Sequence, residues 1–161
     1  MWPCIVILCR VFLWIIDFDF YIFNKKVIMN LKLILQLSVF GLIMALGTIS
    51  LIPQQAEPFF WIIIFIFCAF VIAKATPGNY FLHGFLVSLV NCLWIIGAHT
   101  LYYDSYIANH PNIVLMNEGT PAAMANHPRL VQAVFGAIIG IISGVVLGLF
   151  ALIASKILKK A

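Results

Sequence analysis

Few side chains in this sequence could do chemistry, and four of them fall in or beside one polar stretch. They are His99, Asp104, His110 and His127. Imidazole and carboxylate groups are credible ligands for Zn²⁺ or Cu²⁺. Their spacing matches no compact metal motif, and capping or interfacial roles suit their positions better. We therefore predict no metal centre, and these four residues are the candidates for the alternative.

A second group of polar residues lies inside an otherwise apolar stretch over residues 80–103. Ser88, Asn91 and His99 belong to it. A buried amide in lipid must find hydrogen-bond partners. We interpret Asn91 as part of an interhelical hydrogen bond, which contributes about 0.6 kcal/mol on average in a membrane protein. The alternative is that Asn91, together with Ser88, contacts a substrate or an ion.

Other chemistries have no support in the sequence. It contains no nucleophile–base constellation, no glycine-rich phosphate loop and no HExxH motif, so neither an enzyme nor a cofactor is indicated. Nine basic residues against five acidic ones are too few and too scattered for nucleic-acid binding. The cysteines lack CxxC spacing and are interpreted as small apolar side chains: Cys4, Cys9, Cys68 and Cys92.

The elements that must position these residues are membrane-spanning helices. The chain is 65% hydrophobic and 9% charged, whereas soluble domains carry about 25% charged residues. Its predicted surroundings are therefore the lipid bilayer. Apolar runs predict spans at about residues 33–52, 59–75, 80–103 and 130–155, with an outer loop over 104–128. The predicted fold is an all-α membrane protein, a bundle of four transmembrane helices forming one domain over residues 29–161. None of these spans contains an acidic residue, which disfavours a proton-coupled transporter.

The fourth predicted span carries four glycines at a spacing of four, which we call the glycine ladder: Gly136, Gly140, Gly144 and Gly148. In water each interior glycine costs a helix roughly 1 kcal/mol relative to alanine. In a bilayer, small residues at this spacing let two helices approach closely. We predict that the ladder packs on the third or the first span. The third is favoured, because Gly84 and Ser88 share a face there. The alternative is a homo-oligomer formed through the ladder.

The outer loop contains a short duplication, Ala-Asn-His-Pro, at residues 108–111 and again at 125–128. Asn or His can cap a helix, and proline suits the first helical position because its missing N–H is not needed there. Both copies are therefore predicted to be helix starts. The second copy would open the fourth span.

Residues 1–28 are interpreted as an N-terminal extension rather than a span. Arg10, Asp17 and Asp19 would each cost about 2.5–3.5 kcal/mol near a helix centre. Met29, soon followed by Lys32 and an uninterrupted apolar run, is typical of the start of a bacterial membrane protein. One hypothesis is thus a non-native start before Met29, and the alternative is an interfacial segment.

The distribution of basic residues predicts the orientation. In a weave of four spans, one side collects seven lysines, whereas Arg129 is the single basic residue of the other side. Lysine and arginine mark the cytoplasmic side, so both termini are predicted to be cytoplasmic, in the inner membrane of a bacterium. The seven are Lys25, Lys26, Lys32, Lys74, Lys156, Lys159 and Lys160.

Two classes of function follow from these patterns. The first is a structural or interaction protein that works through helix–helix packing in the membrane. The second is a small transporter or channel subunit, in which Ser88, Asn91 and His99 line a polar path along the third helix and the glycine ladder is a sliding face. The classes differ in whether these three side chains meet at a cavity or are packed against the ladder.

Overall fold

The computed structural model describes residues 29–113 and 126–160, and the regular secondary structure of this part of the chain is all helix, with no strand. The helices are α1 (Leu31–Ser50), α2 (Glu57–Ala75), α3 (Tyr80–Leu101), α4 (Tyr103–Asn109) and α5 (Pro128–Lys160). Four of them, all except α4, have the length and apolar composition of membrane-spanning helices. The N-terminal extension and residues 114–125 of the predicted outer loop lie outside the described residues.

Local sequence signals explain where the long helices begin. The Asn30 side chain accepts a hydrogen bond from the Leu33 N–H, at 3.1 Å, and so caps α1. Pro58 occupies the first turn of α2, and α5 begins at Pro128. The predicted helix start at the second Asn-His-Pro is therefore confirmed. After the first copy, the Ile113 N–H donates to the His110 carbonyl oxygen, at 3.0 Å, within a single helical turn.

Several predicted boundaries are wrong by a few residues, and one of these differences matters. α2 begins at Glu57 rather than at residue 59, because a carboxylate is favourable at a helix N-terminus. The helix that carries the second predicted span therefore begins with an acidic residue. α5 also continues to Lys160 instead of ending at residue 155, since lysines are good helix formers and suit a helix C-terminus.

The stretch predicted as a loop from residue 104 begins with a helix. The third span ends at Leu101, and α4 follows directly over Tyr103–Asn109. The Asn109 amide donates to the carbonyl oxygen of Ile49, at 2.8 Å, and thereby ties the end of α4 to the end of α1. This contact positions α4 across the ends of α1 and α3.

α3 is the central helix and packs against both α5 and α1. It runs parallel to α1, since the two helices meet at Asn30–His83 near one end and at Thr48–His99 near the other. α2 packs mainly against α5 and is the least buried of the four long helices. The main core contains these buried side chains: Leu33, Ile34, Leu37, Cys68, Ala69, Ile72, Tyr80, Val87, Leu147 and Ala151.

The antiparallel pair of α3 and α5 approaches to backbone contact. A Cβ atom on Gly84 would lie 2.8 Å from the Leu147 carbonyl oxygen and 2.9 Å from the Gly148 Cα. Every residue of the glycine ladder faces a residue of α3, and the four neighbours, from Gly136 to Gly148, are Ile96, Cys92, Phe85 and Phe81. Side chains at Gly84 and Gly148 would force the two helices apart.

Candidate functional site

A cavity of about 410 Å³ lies between the helices at the end of the molecule where α2 and α5 begin and α3 ends. All five helices contribute to its lining, and α3 and α5 contribute most of it. The walls are largely apolar, formed by aromatic and β-branched side chains that include Trp61, Phe65, Ile95, Ile96, Phe135 and Ile139. Such a volume and composition are typical of small-molecule sites.

Three polar side chains on the cavity wall have buried atoms without a hydrogen-bond partner in the described part of the chain. They are both polar atoms of the Asn91 amide, both of the Gln132 amide, and the Thr100 hydroxyl. The prediction that Asn91 makes an interhelical hydrogen bond is therefore wrong, because its amide has no partner among the described residues. Gly41 of α1 leaves room for Asn91, because a Cβ there would lie 2.6 Å from the Asn91 Cγ.

These unpartnered groups stand at two depths. Thr100 lies on α3 two and a half turns beyond Asn91, which is roughly 14 Å along the helix axis. Gln132 lies one turn of α5 before Gly136, which faces Ile96, so Gln132 is near the level of Thr100. Apolar side chains such as Ile95 line the wall between these depths. The cavity thus has polar groups near both ends and an apolar middle.

The deep end of the cavity is the place where α3 meets the glycine ladder. The Ser88 hydroxyl donates to the Gly140 carbonyl oxygen, at 3.5 Å, and the Cys92 thiol donates to the Gly136 carbonyl oxygen, at 3.3 Å. Both residues also line the cavity. Ser88 is therefore a helix-packing residue and a cavity residue at once, and the two predicted roles coincide here.

His99 is held in one orientation by two neighbours. The Thr48 hydroxyl donates to the Met44 carbonyl oxygen, at 2.9 Å, and so accepts from the His99 Nε2–H, at 2.8 Å. The Tyr106 ring stacks on the His99 imidazole with 3.8 Å between ring centroids. The His110 imidazole also stacks on the Tyr106 ring, with 4.2 Å between the ring centroids. Tyr106 is consequently enclosed between two histidines.

Beyond this stack, His110 contacts Glu57, the one acidic or basic residue that lines the cavity in the described part of the chain. Its Nε2 lies 2.5 Å from the Glu57 Oε1, and its Nδ1 lies 2.9 Å from the Tyr106 carbonyl oxygen. His110 is buried, whereas the Glu57 side chain is 21% exposed. Burial raises the pKa of the Tyr106 phenol, and the Glu57 charge raises this pKa further, so Tyr106 is neutral.

The four predicted metal candidates do not converge. His99 and His110 lie on opposite faces of Tyr106. Asp104 points to Arg129, at 3.6 Å, on the surface, and His127 is exposed at the start of α5. Over residues 29–113 and 126–160, no three His, Cys, Asp or Glu side chains are arranged to hold a metal ion.

The sequence pattern predicted polar residues on the α3 wall of the cavity but not on the α5 wall. Ser88, Asn91 and His99 were singled out because they interrupt an apolar run of α3. Gln132 was overlooked, although it is the one amide in the first turns of α5. Comparisons of the chain with protein-family models, with curated proteins and with solved structures found no match.

Proposed function

We propose that this chain is a small membrane transporter or binding subunit that holds a small neutral amphiphile in the cavity between its helices. The observation that carries the proposal is the set of unpartnered polar groups of Asn91, Thr100 and Gln132, all of which line the cavity. Leaving a buried polar group unsatisfied costs about 1–3 kcal/mol. A bound molecule, or water that the molecule displaces, would supply the missing partners.

The lining supports the chemical class of the ligand. Glu57 is the one formally charged lining residue in the described ranges, and it is paired with His110, so a neutral ligand fits best. The amides of Asn91 and Gln132 offer both donors and acceptors. A molecule with polar groups at two ends and an apolar middle would match the two depths at which these amides lie.

The first test uses two native cysteines. Cys92 lines the cavity, whereas Cys68 is fully buried in the main core. In a Cys4→Ser, Cys9→Ser background, one variant keeps only Cys92 (Cys68→Ala) and the other keeps only Cys68 (Cys92→Ala). A small, water-soluble methanethiosulfonate should modify Cys92 about tenfold faster than Cys68, because thiol reactivity follows access. Equal rates, measured by intact mass, would contradict a water-accessible cavity.

A structural or interaction role is the second candidate. The close contact between α3 and the glycine ladder supports it, because such a contact is typical of a helix that works through packing. The ladder already faces α3 of the same chain. A homo-oligomer through α5 would therefore use a different face of this helix, the one that exposes Ile138, Ile141, Ile142 and Val145. A dimer that persists in mild detergent, and that dissociates on Ile142→Asn, would favour this role.

The proposed orientation places both termini in the cytoplasm of a bacterial cell and the cavity toward the outside. Lys74 and Lys156 lie at the opposite end of the molecule from the cavity. Glu57, Asp104 and Arg129 lie at the cavity end, where the acidic and basic charges nearly balance. Basic residues on the retained side are the rule in inner-membrane proteins. The ligand would then enter from the outer side.

A further inference from the structure

We propose that Glu57 and His110 form a proton-binding site at the outer end of the cavity, and that release of this proton opens the cavity. The inference rests on the proposed function, because it assigns a control element to the same cavity. It concerns two residues that no feature of the sequence paired, one at the start of α2 and the other directly after α4, with the whole of α3 between them in the chain. The pair would make access to the ligand site depend on pH.

The hydrogen-bond geometry requires a shared proton. The Nδ1 of His110 faces a carbonyl oxygen, which can only accept, so this nitrogen carries a hydrogen. The Nε2 lies 2.5 Å from a carboxylate oxygen. A second proton must lie between these two atoms, either as imidazolium with carboxylate or as neutral imidazole with carboxylic acid. The pair is therefore neutral overall, and it is stable only while it keeps this proton.

Loss of the proton to water leaves two acceptors facing each other. The remaining hydrogen stays on Nδ1, because the Tyr106 carbonyl oxygen is buried and has no other donor there, whereas the partly exposed Glu57 carboxylate can turn to water. The Nε2 lone pair then faces an ionised carboxylate, and the contact becomes repulsive. Histidine is the side chain that ordinarily changes charge in the physiological pH range. Acid thus holds the contact together, and a rise in pH breaks it. This direction of the pH dependence follows because the state in which Glu57 contacts His110 holds one more proton than the state in which they are apart.

The position of Glu57 converts this event into a movement of α2. The buried residues of α2 are Cys68, Ala69 and Ile72, all in its second half. Its first half carries Glu57, Trp61 and Phe65, which line the cavity. The Glu57–His110 contact is therefore the main polar tie between this half and the rest of the molecule. When the tie breaks, the first half of α2 can swing outward.

The other titratable groups around His110 do not contact its Nε2 atom. Tyr106 of α4 stacks on the ring but is neutral, because burial raises its pKa. His99 of α3 lies on the far side of Tyr106. On the described part of α5, Arg129 lies at this end of the molecule and pairs with Asp104 of α4 at the surface. The groups that α1 contributes are uncharged, namely Thr48 and the Ile49 carbonyl oxygen. Glu57 is the group of α2 that faces the ring.

The test measures modification of Cys92, in the background that keeps only this cysteine, at pH 5.5 and pH 8.5. The control is Glu57→Gln, whose amide can donate to neutral His110 at either pH and so keeps the tie without the extra proton. The ratio of parent to control rates cancels the intrinsic pH dependence of thiol chemistry. We expect the ratio of the parent rate to the Glu57→Gln rate to be near one at pH 5.5 and about ten at pH 8.5. A tenfold change corresponds to the loss of one charge-assisted hydrogen bond.

Glu57→Ala provides the opposite case, since it removes the tie at every pH. Its rate should exceed that of the parent about tenfold at pH 5.5 and equal it at pH 8.5. A parent-to-Glu57→Gln ratio that stays constant with pH would overturn the proton site while leaving the cavity intact. A Cys92 that reacts in none of the variants would overturn both proposals. His99 is unchanged in all of these variants, so any pH dependence that it causes is the same in the parent and in Glu57→Gln and cancels in their ratio.

Discussion

Two threonines of the cavity wall have the same chemistry and opposite surroundings. Thr48 connects α1 to α3 through its hydrogen bond with His99, whereas the Thr100 hydroxyl has no partner among the described residues. Both line the cavity. A hydroxyl that is satisfied within the protein contributes to folding, and one that is left unsatisfied is available to a ligand. We therefore assign a structural role to Thr48 and propose a binding role for Thr100.

Replacement of each threonine by valine, which has the same shape, should give different results. Thr48→Val leaves the His99 Nε2–H unpaired and should lower stability by about 1 kcal/mol. Thr100→Val removes an unsatisfied group and should leave stability unchanged or raise it slightly. Thermal unfolding in one detergent measures both. Equal losses of stability would contradict the assignment of Thr100 to the ligand.

Asn91 offers a second test of this distinction, because its amide is unpartnered at the deep end of the cavity. Asn91→Leu should keep or increase thermal stability, by up to about 1 kcal/mol, since it removes a desolvated amide. If Asn91 instead held two helices together, the same change would destabilise the protein. Leu93→Ala on the exposed side of α3 is the control for a change in side-chain size.

At the scale of elements, the α3–α5 contact is the part of the fold that tolerates least change. Gly84→Ala places a methyl group against the backbone of Leu147 and Gly148. Backbone cannot turn away as a flexible side chain can, so we expect a loss of about 1–3 kcal/mol. Gly97→Ala, on the same helix, meets no atom within 4 Å and should be neutral or stabilising, because alanine favours helix. Detergent melting of both variants is the measurement, and similar losses would argue against close packing at Gly84.

The four long helices could be predicted because each has an apolar run long enough to span a bilayer, and all except α3 end near a proline or a lysine. α4 could not, because its seven residues, YDSYIAN, have no apolar period and little helix propensity. It is held by tertiary contacts instead, through Tyr106 between two imidazoles and Asn109 on α1. For the same reason the contact of Glu57 with His110 was not foreseen. Sequence spacing shows which residues share a face of one helix, but not which residues of other helices lie at the same depth.

The whole molecule is polarised along its long axis. Lysines lie at one end, where Lys159 is placed 5.4 Å from the centre of the Tyr80 ring. The cavity, Glu57 and the histidine stack are in the other half. In the proposed orientation the lysine end faces the cytoplasm, and the proposed ligand would reach the cavity from the other side of the membrane.

Orientation can be measured with one exposed position at each end. In a background without cysteines, His127→Cys and Lys156→Cys place a thiol on the cavity side and on the lysine side, at residues that are exposed. A membrane-impermeant maleimide added to intact spheroplasts should label the first and spare the second, while both react after lysis. Labelling with the reverse preference would invert the proposed topology.

The unequal lengths of the helices have a consequence for the surrounding lipid. With 33 residues, α5 is about 50 Å long, whereas the 19 residues of α2 extend about 29 Å. A bilayer has a hydrocarbon thickness of about 30 Å, so α2 matches it and α5 exceeds it. α5 must tilt or project into the head groups, and its tilt changes with bilayer thickness. Because Gln132, Phe135 and Ile139 of α5 line the cavity, we expect the acyl-chain length of the host membrane to influence the shape of the cavity.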